Sequence, residues 1–164
     1  MQREAQDLRR WLEAFVFEGG FLARYPYYAH VLASLTPVLD PSVESVGVSL
    51  SPSSDGARAR YFLHVNVEAL RRVPQFLRGL LLHEVHHVVL GHLAHPRFAS
   101  PERPELMQMA METTANEHIE ELLPSPILWQ HFERFGFRAG QSTMERYALL
   151  CEARTESLVP KPKD

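Results

Sequence analysis

Between Gln75 and Leu93 the chain reads QFLRGLLLHEVHHVVLGHL, with apolar residues on most sides of a helical wheel. A helix apolar nearly all round has no face to give to water and lies in a core. His95-Pro96 closes it. The same stretch carries His83-Glu84-Val85-His86-His87. Burying several imidazoles and a carboxylate there is costly unless they have partners. Whatever this chain folds into is built around that helix, and the fold must supply the partners.

The pattern is H-E-x-x-H, with His83 and His87 one turn apart on one face and Glu84 beside the first. Zinc takes neutral imidazoles at about 2.0–2.1 Å in tetrahedral array, and a rigid helix supplies two at this spacing. Glu84 does not reach the same coordination position. It reaches a water there and takes its proton, the general-base role in metal-assisted hydrolysis. Nine histidines and sixteen glutamates in 164 residues make about 0.05 chance occurrences of the motif. The apolar mid-helix setting therefore adds weight to the spacing. Histidines that are merely hydrogen-bonded core groups are the plainer alternative.

Gly79, His83, His87 and Gly91 form a row of i+4 spacing. Two glycines inside a helix cost about 1 kcal/mol each against alanine. They are expected to admit another backbone or a substrate to the ligand face, or to allow close helix packing. A third ligand is expected from the next helix, read over 104–123. Its buried stripe runs Met109, Glu112, Asn116, Ile119, Leu123, a carboxylate and an amide on an otherwise apolar stripe. Glu112, 25 residues after His87, completes a His-His-Glu set. Asn116, one turn on, is placed to hold a ligand imidazole from outside the coordination sphere. Glu117, His118, Glu120 and Glu121 compete, but such residues more often mark a solvated face. His86 lies to one side of the pair and reads as a supporting or interface group. The three-histidine pattern H-E-x-x-H-x-x-G-x-x-H fails, since Leu90 and Leu93 stand where it needs glycine and histidine. His30, His64 and His131 read as isolated structural residues.

The rest of the chain frames this helix. An amphipathic helix is expected over 4–18, ended by Gly19-Gly20, and a shorter one over 26–35. Asp40-Pro41-Ser42 reads as a turn. Strands are expected at 43–50 and 57–65, joined by the loop 51–56. Ser142 or Thr143 caps a last helix over 143–156. The expected class is α+β, mainly helical: a single domain over 1–156 with a small two- or three-stranded sheet, then a disordered tail at 157–164. One cysteine, Cys151, makes no intramolecular disulfide, which points to a reducing, cytoplasmic setting. It sits in an apolar helical stretch and reads as buried and inert. A net charge of −3 and a pI near 6.3 give no electrostatic case for nucleic acid or an anionic membrane. No G-x-S-x-G and no glycine-rich phosphate loop is present, so nucleophilic catalysis finds little support.

Four segments in order, PYYAHVLASLTPVLDPSVESVGVSL (26–50), LLLHEVHHVVLGHL (80–93), AMETTANEHIEELLP (110–124) and GQSTMERYALL (140–150), resemble the bacterial predicted metal-dependent peptidases. In that family an N-terminal metallopeptidase domain precedes a von Willebrand factor A-like domain. The specific block is H-E-V-x-H-x-x-x-G-H. Ala110, Glu112 and Asn116 match an A-x-D-x-x-x-N-like block, with glutamate where aspartate is common, as in gluzincins. The resemblance implies a zincin-like fold, with a small sheet above an active-site helix and a ligand helix beneath. It also implies an edge strand able to pair with an extended peptide. The von Willebrand-like domain does not follow within these residues. The chain is therefore expected to be an excised domain or a version that borrows its targeting, with a MoxR-type AAA+ ATPase as an implied partner.

The expected function is a zinc-dependent peptidase acting on a peptide or protein substrate. One Zn²⁺ is bound by His83, His87 and Glu112, Glu84 is the base, and His118 or Tyr147 is the oxyanion donor. The rival is a non-catalytic, zinc-stabilised helical module for protein interaction. A di-iron bundle is disfavoured, because Glu84-x-x-His87 has no second copy.

Overall fold

A computed structural model describes residues 2–18, 20–51 and 59–153, with side chains from residue 6 onward. Most of the expected 51–56 loop and the 157–164 tail lie outside the described residues. The chain divides into two compact units, Met1–Ala94 with Glu120–Pro124, and His95–Ile119 with Ser125–Asp164. Helices dominate and the sheet is small, which makes the class α+β.

In the first unit, α1 (Gln2–Phe17) buries Leu8, Leu12 and Val16, four residues apart on one stripe. Gly20 turns the chain at φ +74 into α2 (Phe21–Arg24), and α3 (Pro26–Ser34) follows with proline in its first turn. Strands β1 (Thr36–Leu39), β2 (Val46–Ser51) and β3 (Arg60–Val65) form one sheet in the order β1-β3-β2, with β1 parallel and β2 antiparallel to β3. The two strands read from the sequence are there; β1 is an addition. TPVL is too short to show alternation, and Pro37 argues against a strand. It is tolerated because β1 is an edge, where a missing N–H need cost no ladder bond.

Leu63 and Val65 are fully buried on one face of β3, across from Val48 and Val46. Helix α1 packs on β1, and α5 on β2. The Asn66 side chain caps α4 (Val67–Arg72) by accepting the Ala69 N–H at 3.1 Å. After a 3-10 turn at Pro74–Phe76 comes α5 (Leu77–Val89), with Leu80, Leu81, Leu82 and Val85 in the core. This helix stops four residues short of the expected Leu93. Gly91 adopts φ +71, its N–H donates to the Val88 carbonyl (3.1 Å), and the His92 N–H donates to the His87 carbonyl (3.0 Å). That pair of bonds is a Schellman cap, which ends a helix by satisfying its last carbonyls.

The segment Glu120–Pro124 belongs to this first unit. Tyr25 donates its hydroxyl to Glu121 at 2.8 Å and Arg24 pairs with Glu121 at 3.3 Å. Burial and the Glu121 carboxylate push the Tyr25 phenol above its ordinary ionisation range. A methyl group on Gly79 would stand 2.1 Å from the Leu122 carbonyl oxygen. Gly79 therefore admits another backbone, one of the expectations for the glycine row, whereas Gly91 serves the cap.

The second unit begins with α6 (Pro96–Ala99), capped by His95 Nδ1 accepting the Arg97 N–H. Helix α7 (Pro104–Asn116) ends at Asn116, not at 123. Glu117, just past its end, forms an ion pair with Arg146 and accepts the Gly140 N–H. Its side chain is 5% exposed and that of Arg146 is fully buried, which corrects the solvated reading of Glu117. Arg146 also donates to the Arg138 carbonyl (3.2 Å) and sits over the Phe137 ring. A 3-10 stretch covers Trp129–Phe135 between α7 and the last helix. Helix α8 (Thr143–Glu152) starts at Ser142, which trades hydrogen bonds with Glu145 in a capping box. Leu106, Ala110, Phe132, Phe137 and Leu150 form the core between α7, α8 and the 3-10 stretch. Among the described residues no helix is long and apolar enough to cross a membrane.

Candidate metal centre

Helix α5 puts His83 and His87 on one face, a turn apart. Their Nε2 atoms are 3.1 Å apart and their rings meet edge to face at 4.6 Å between centroids. Two bare nitrogen lone pairs at that distance repel unless a proton or a cation lies between them. With ligand bonds of about 2.0–2.1 Å, a 3.1 Å edge subtends an angle of about 98° at a metal, within the tetrahedral range. The imidazole pair therefore fits a zinc-sized ion.

Glu84 is 8% exposed and precedes Val85, which is fully buried in the core. A carboxylate so withdrawn is kept by its partners, not by solvent. Both imidazoles are half-buried, neither sealed nor freely hydrated. That is the exposure a site needs if water and substrate are to reach it.

One histidine in contact with the pair escaped the sequence reading. The Schellman turn folds His92 back so that its Nδ1 lies 2.9 Å from His87 Nδ1, and His92 is 5% exposed. With the proton on His87 Nδ1, the His92 Nδ1 lone pair accepts it and His87 Nε2 is left bare toward His83. Donation in that direction gives the tautomer a metal ligand requires. The signal was legible: a glycine two residues past the last helical residue, with a histidine next. His86 faces elsewhere. Its Nε2 is 2.9 Å from the Tyr28 hydroxyl and the two rings meet edge-on, which ties α5 to α3.

The other expected site residues lie in the second unit. Glu112 is half-buried in the middle of α7. Asn116 is buried and its amide donates to the Ile127 carbonyl at 3.0 Å, so it anchors the following loop. His118 is exposed just beyond α7. The Tyr147 hydroxyl accepts the Arg103 N–H at 3.1 Å. That bond lowers the phenol's ionisation, but burial and the neighbouring Cys151 thiol outweigh it and the net shift is upward. Cys151 is half-buried rather than sealed in a core.

Three histidines were read as isolated. His30 and His131 are exposed, and His131 Nδ1 accepts the Leu128 N–H. His64 is not isolated: it bonds to both Ser49 and Asp40. No family model, no curated protein and no solved structure matches the chain.

Proposed function

We propose that this chain is a zinc-dependent peptidase of the gluzincin type, with His83, His87 and Glu112 as ligands and Glu84 as general base. The observation that carries the reading is the His83–His87 pair, whose nitrogens stand 3.1 Å apart on a core helix beside a buried glutamate. His83, His87 and Glu112 make a donor set suited to such an ion, two imidazoles and one carboxylate, each half-buried. Two nitrogens and one oxygen would hold the ion with three protein ligands, the number found in catalytic rather than structural zinc sites.

Bound zinc supplies Lewis acidity toward the peptide carbonyl and toward the attacking water. The chain's own residues do the rest. Glu84 takes the proton of the water and returns it to the departing amine nitrogen. His92 holds His87 in the tautomer that presents Nε2. Either His118 or Tyr147 donates to the oxyanion. On this reading the fold is zincin-like, with the sheet over the active-site helix and an edge strand that receives the extended substrate by main-chain pairing. The reading places the protein in the cytoplasm, with a von Willebrand-domain protein and a MoxR-type ATPase as partners.

The test is metal content and hydrolysis measured together on wild type, Glu84→Gln and Glu112→Ala. Glu84→Gln is expected to keep about one zinc per chain and lose hydrolysis of a peptide library. Glu112→Ala is expected to lose the metal. Retained hydrolysis in Glu84→Gln removes the base assignment. Wild type that holds zinc and cleaves nothing makes the metal structural, the interaction-module alternative.

A further inference from the structure

On the sheet face opposite the Leu63–Val65 core, Ser49, His64 and Asp40 form a hydrogen-bonded chain. Ser49 Oγ lies 2.7 Å from His64 Nε2, and His64 Nδ1 lies 3.0 Å from Asp40 Oδ2. The register explains the meeting. His64 stands across from Gly47 and Ser49 across from Phe62, so Ser49 and His64 are diagonal neighbours on one face. Glycine at 47 leaves the space beside the imidazole open. Asp40 follows β1 directly, its N–H donating to the Val65 carbonyl at 3.0 Å.

The roles follow from donor and acceptor capacity. Asp40 Oδ1 accepts both the Ser42 N–H (3.0 Å) and the Ser42 hydroxyl (2.5 Å), so the carboxylate is fixed and acceptor-only. These Ser42 bonds, ahead of the His64 contact, hold its ionisation below the ordinary carboxylate range. Its other oxygen must then receive a proton, which places N–H on His64 Nδ1. In the neutral ring Nε2 is bare and accepts the Ser49 hydroxyl. An orienting carboxylate, a base with a fixed tautomer and a hydroxyl on that base make up the arrangement that activates a serine. The side chains of His64 and Asp40 are each about a quarter exposed, and Ser49 is partly exposed. A reagent can therefore reach them.

We propose that Ser49, His64 and Asp40 form a second reactive site, separate from the histidine pair of α5, that accepts acyl groups from carboxylic esters. Ser49 Oγ forms the new bond to the acyl carbon while its proton passes to His64 Nε2. The ester C–O bond then breaks, and His64 returns the proton to the departing alkoxide. Water repeats the sequence and frees the carboxylic acid. The nearest oxyanion donor along the chain is the Leu50 N–H. The Asn66 N–H to Ser45 carbonyl bond makes 45/66 a hydrogen-bonded pair. Alternation along the ladder makes 47/64 and 49/62 such pairs too, so the Leu50 N–H points away from β3 at the sheet edge.

The experiment treats the full chain with an alkyl fluorophosphonate, which phosphonylates activated serines with loss of fluoride, and maps the adduct by mass spectrometry. The expected result is one adduct at Ser49, none in Ser49→Ala, and labelling slowed at least about a hundredfold in His64→Asn. Labelling in Glu84→Gln is expected to match wild type, which separates this site from the metal reading. Folded wild type that stays unlabelled overturns the proposal without recourse to any variant. So do adducts spread over several serines, or equal rates in wild type and a His64→Asn protein that melts like it.

Discussion

At the scale of single residues, two polar contacts carry consequences that measurement can reach. Beyond the backbone bond of the helix cap, His92 meets His87 through a ring nitrogen that accepts or donates one proton. His92→Phe keeps most of the buried volume and removes that partner. If the metal reading holds, it is expected to weaken zinc affinity by about 10–100-fold, measured by competition with a chromophoric chelator. His92→Asn, which offers an amide oxygen to the same N–H, is expected to restore much of the loss. A purely packing role for His92 would give the opposite ranking.

The second contact is Asp40 with Ser42 and His64. Because Asp40's folded-state ionisation lies below its ordinary value, its contribution to stability is present above the unfolded carboxylate range near pH 4. That contribution is lost as pH falls through the lowered folded value. Glu145, held down by the Ser142 hydroxyl and N–H, behaves the same way. Wild type is therefore expected to exceed Asp40→Asn in denaturation midpoint at neutral pH, with the gap closing below about pH 4.

At the scale of elements, helix ends decide what the site is made of. Had α5 run to Leu93, as its apolar pattern suggests, His92 would have continued along the helix surface. The Gly91 cap turns it back onto His87. Gly79 works through contact with a neighbouring backbone. A β-carbon there would meet the Leu122 carbonyl at 2.1 Å, far inside van der Waals contact. Gly79→Ala gains helix propensity of about 1 kcal/mol but must displace that segment. Overpacking costs about 1–3 kcal/mol, so a lower melting temperature is expected. A rise would mean that residues 120–124 move aside freely.

At the scale of the whole molecule, each unit has its own core and its own polar commitments. The first rests on α1, α3, α5 and a three-stranded sheet, the second on α7, α8 and the buried Arg146–Glu117 pair. If the metal reading holds, zinc binds the folded chain and not the unfolded one. Stability then rises with free metal, by about 2.7 kcal/mol at a hundred times the dissociation constant. A melting temperature that climbs with zinc in wild type but not in His87→Ala is the expected outcome. Equal shifts in both proteins would place the ion elsewhere.

The local features were legible in the order of the amino acids because they depend on neighbours one turn or one residue away. The H-E-x-x-H pair, the Ser142 cap and the amphipathic stripe of α1 are of this kind, set by helical periodicity and by donors within reach of their own backbone. What depends on distant partners was not. Pro37 gave no hint of a strand that needs β3 beside it, and Glu117 gave none of an ion pair with a residue 29 positions on. His64 stayed an ordinary histidine until the strand register set it between Ser49 and Asp40. Sequence alone determined which imidazoles and carboxylates stand a turn apart on the core helix; only the tertiary structure decided which of them meet, because those contacts depend on where the helix ends and on neighbours brought in from elsewhere in the chain.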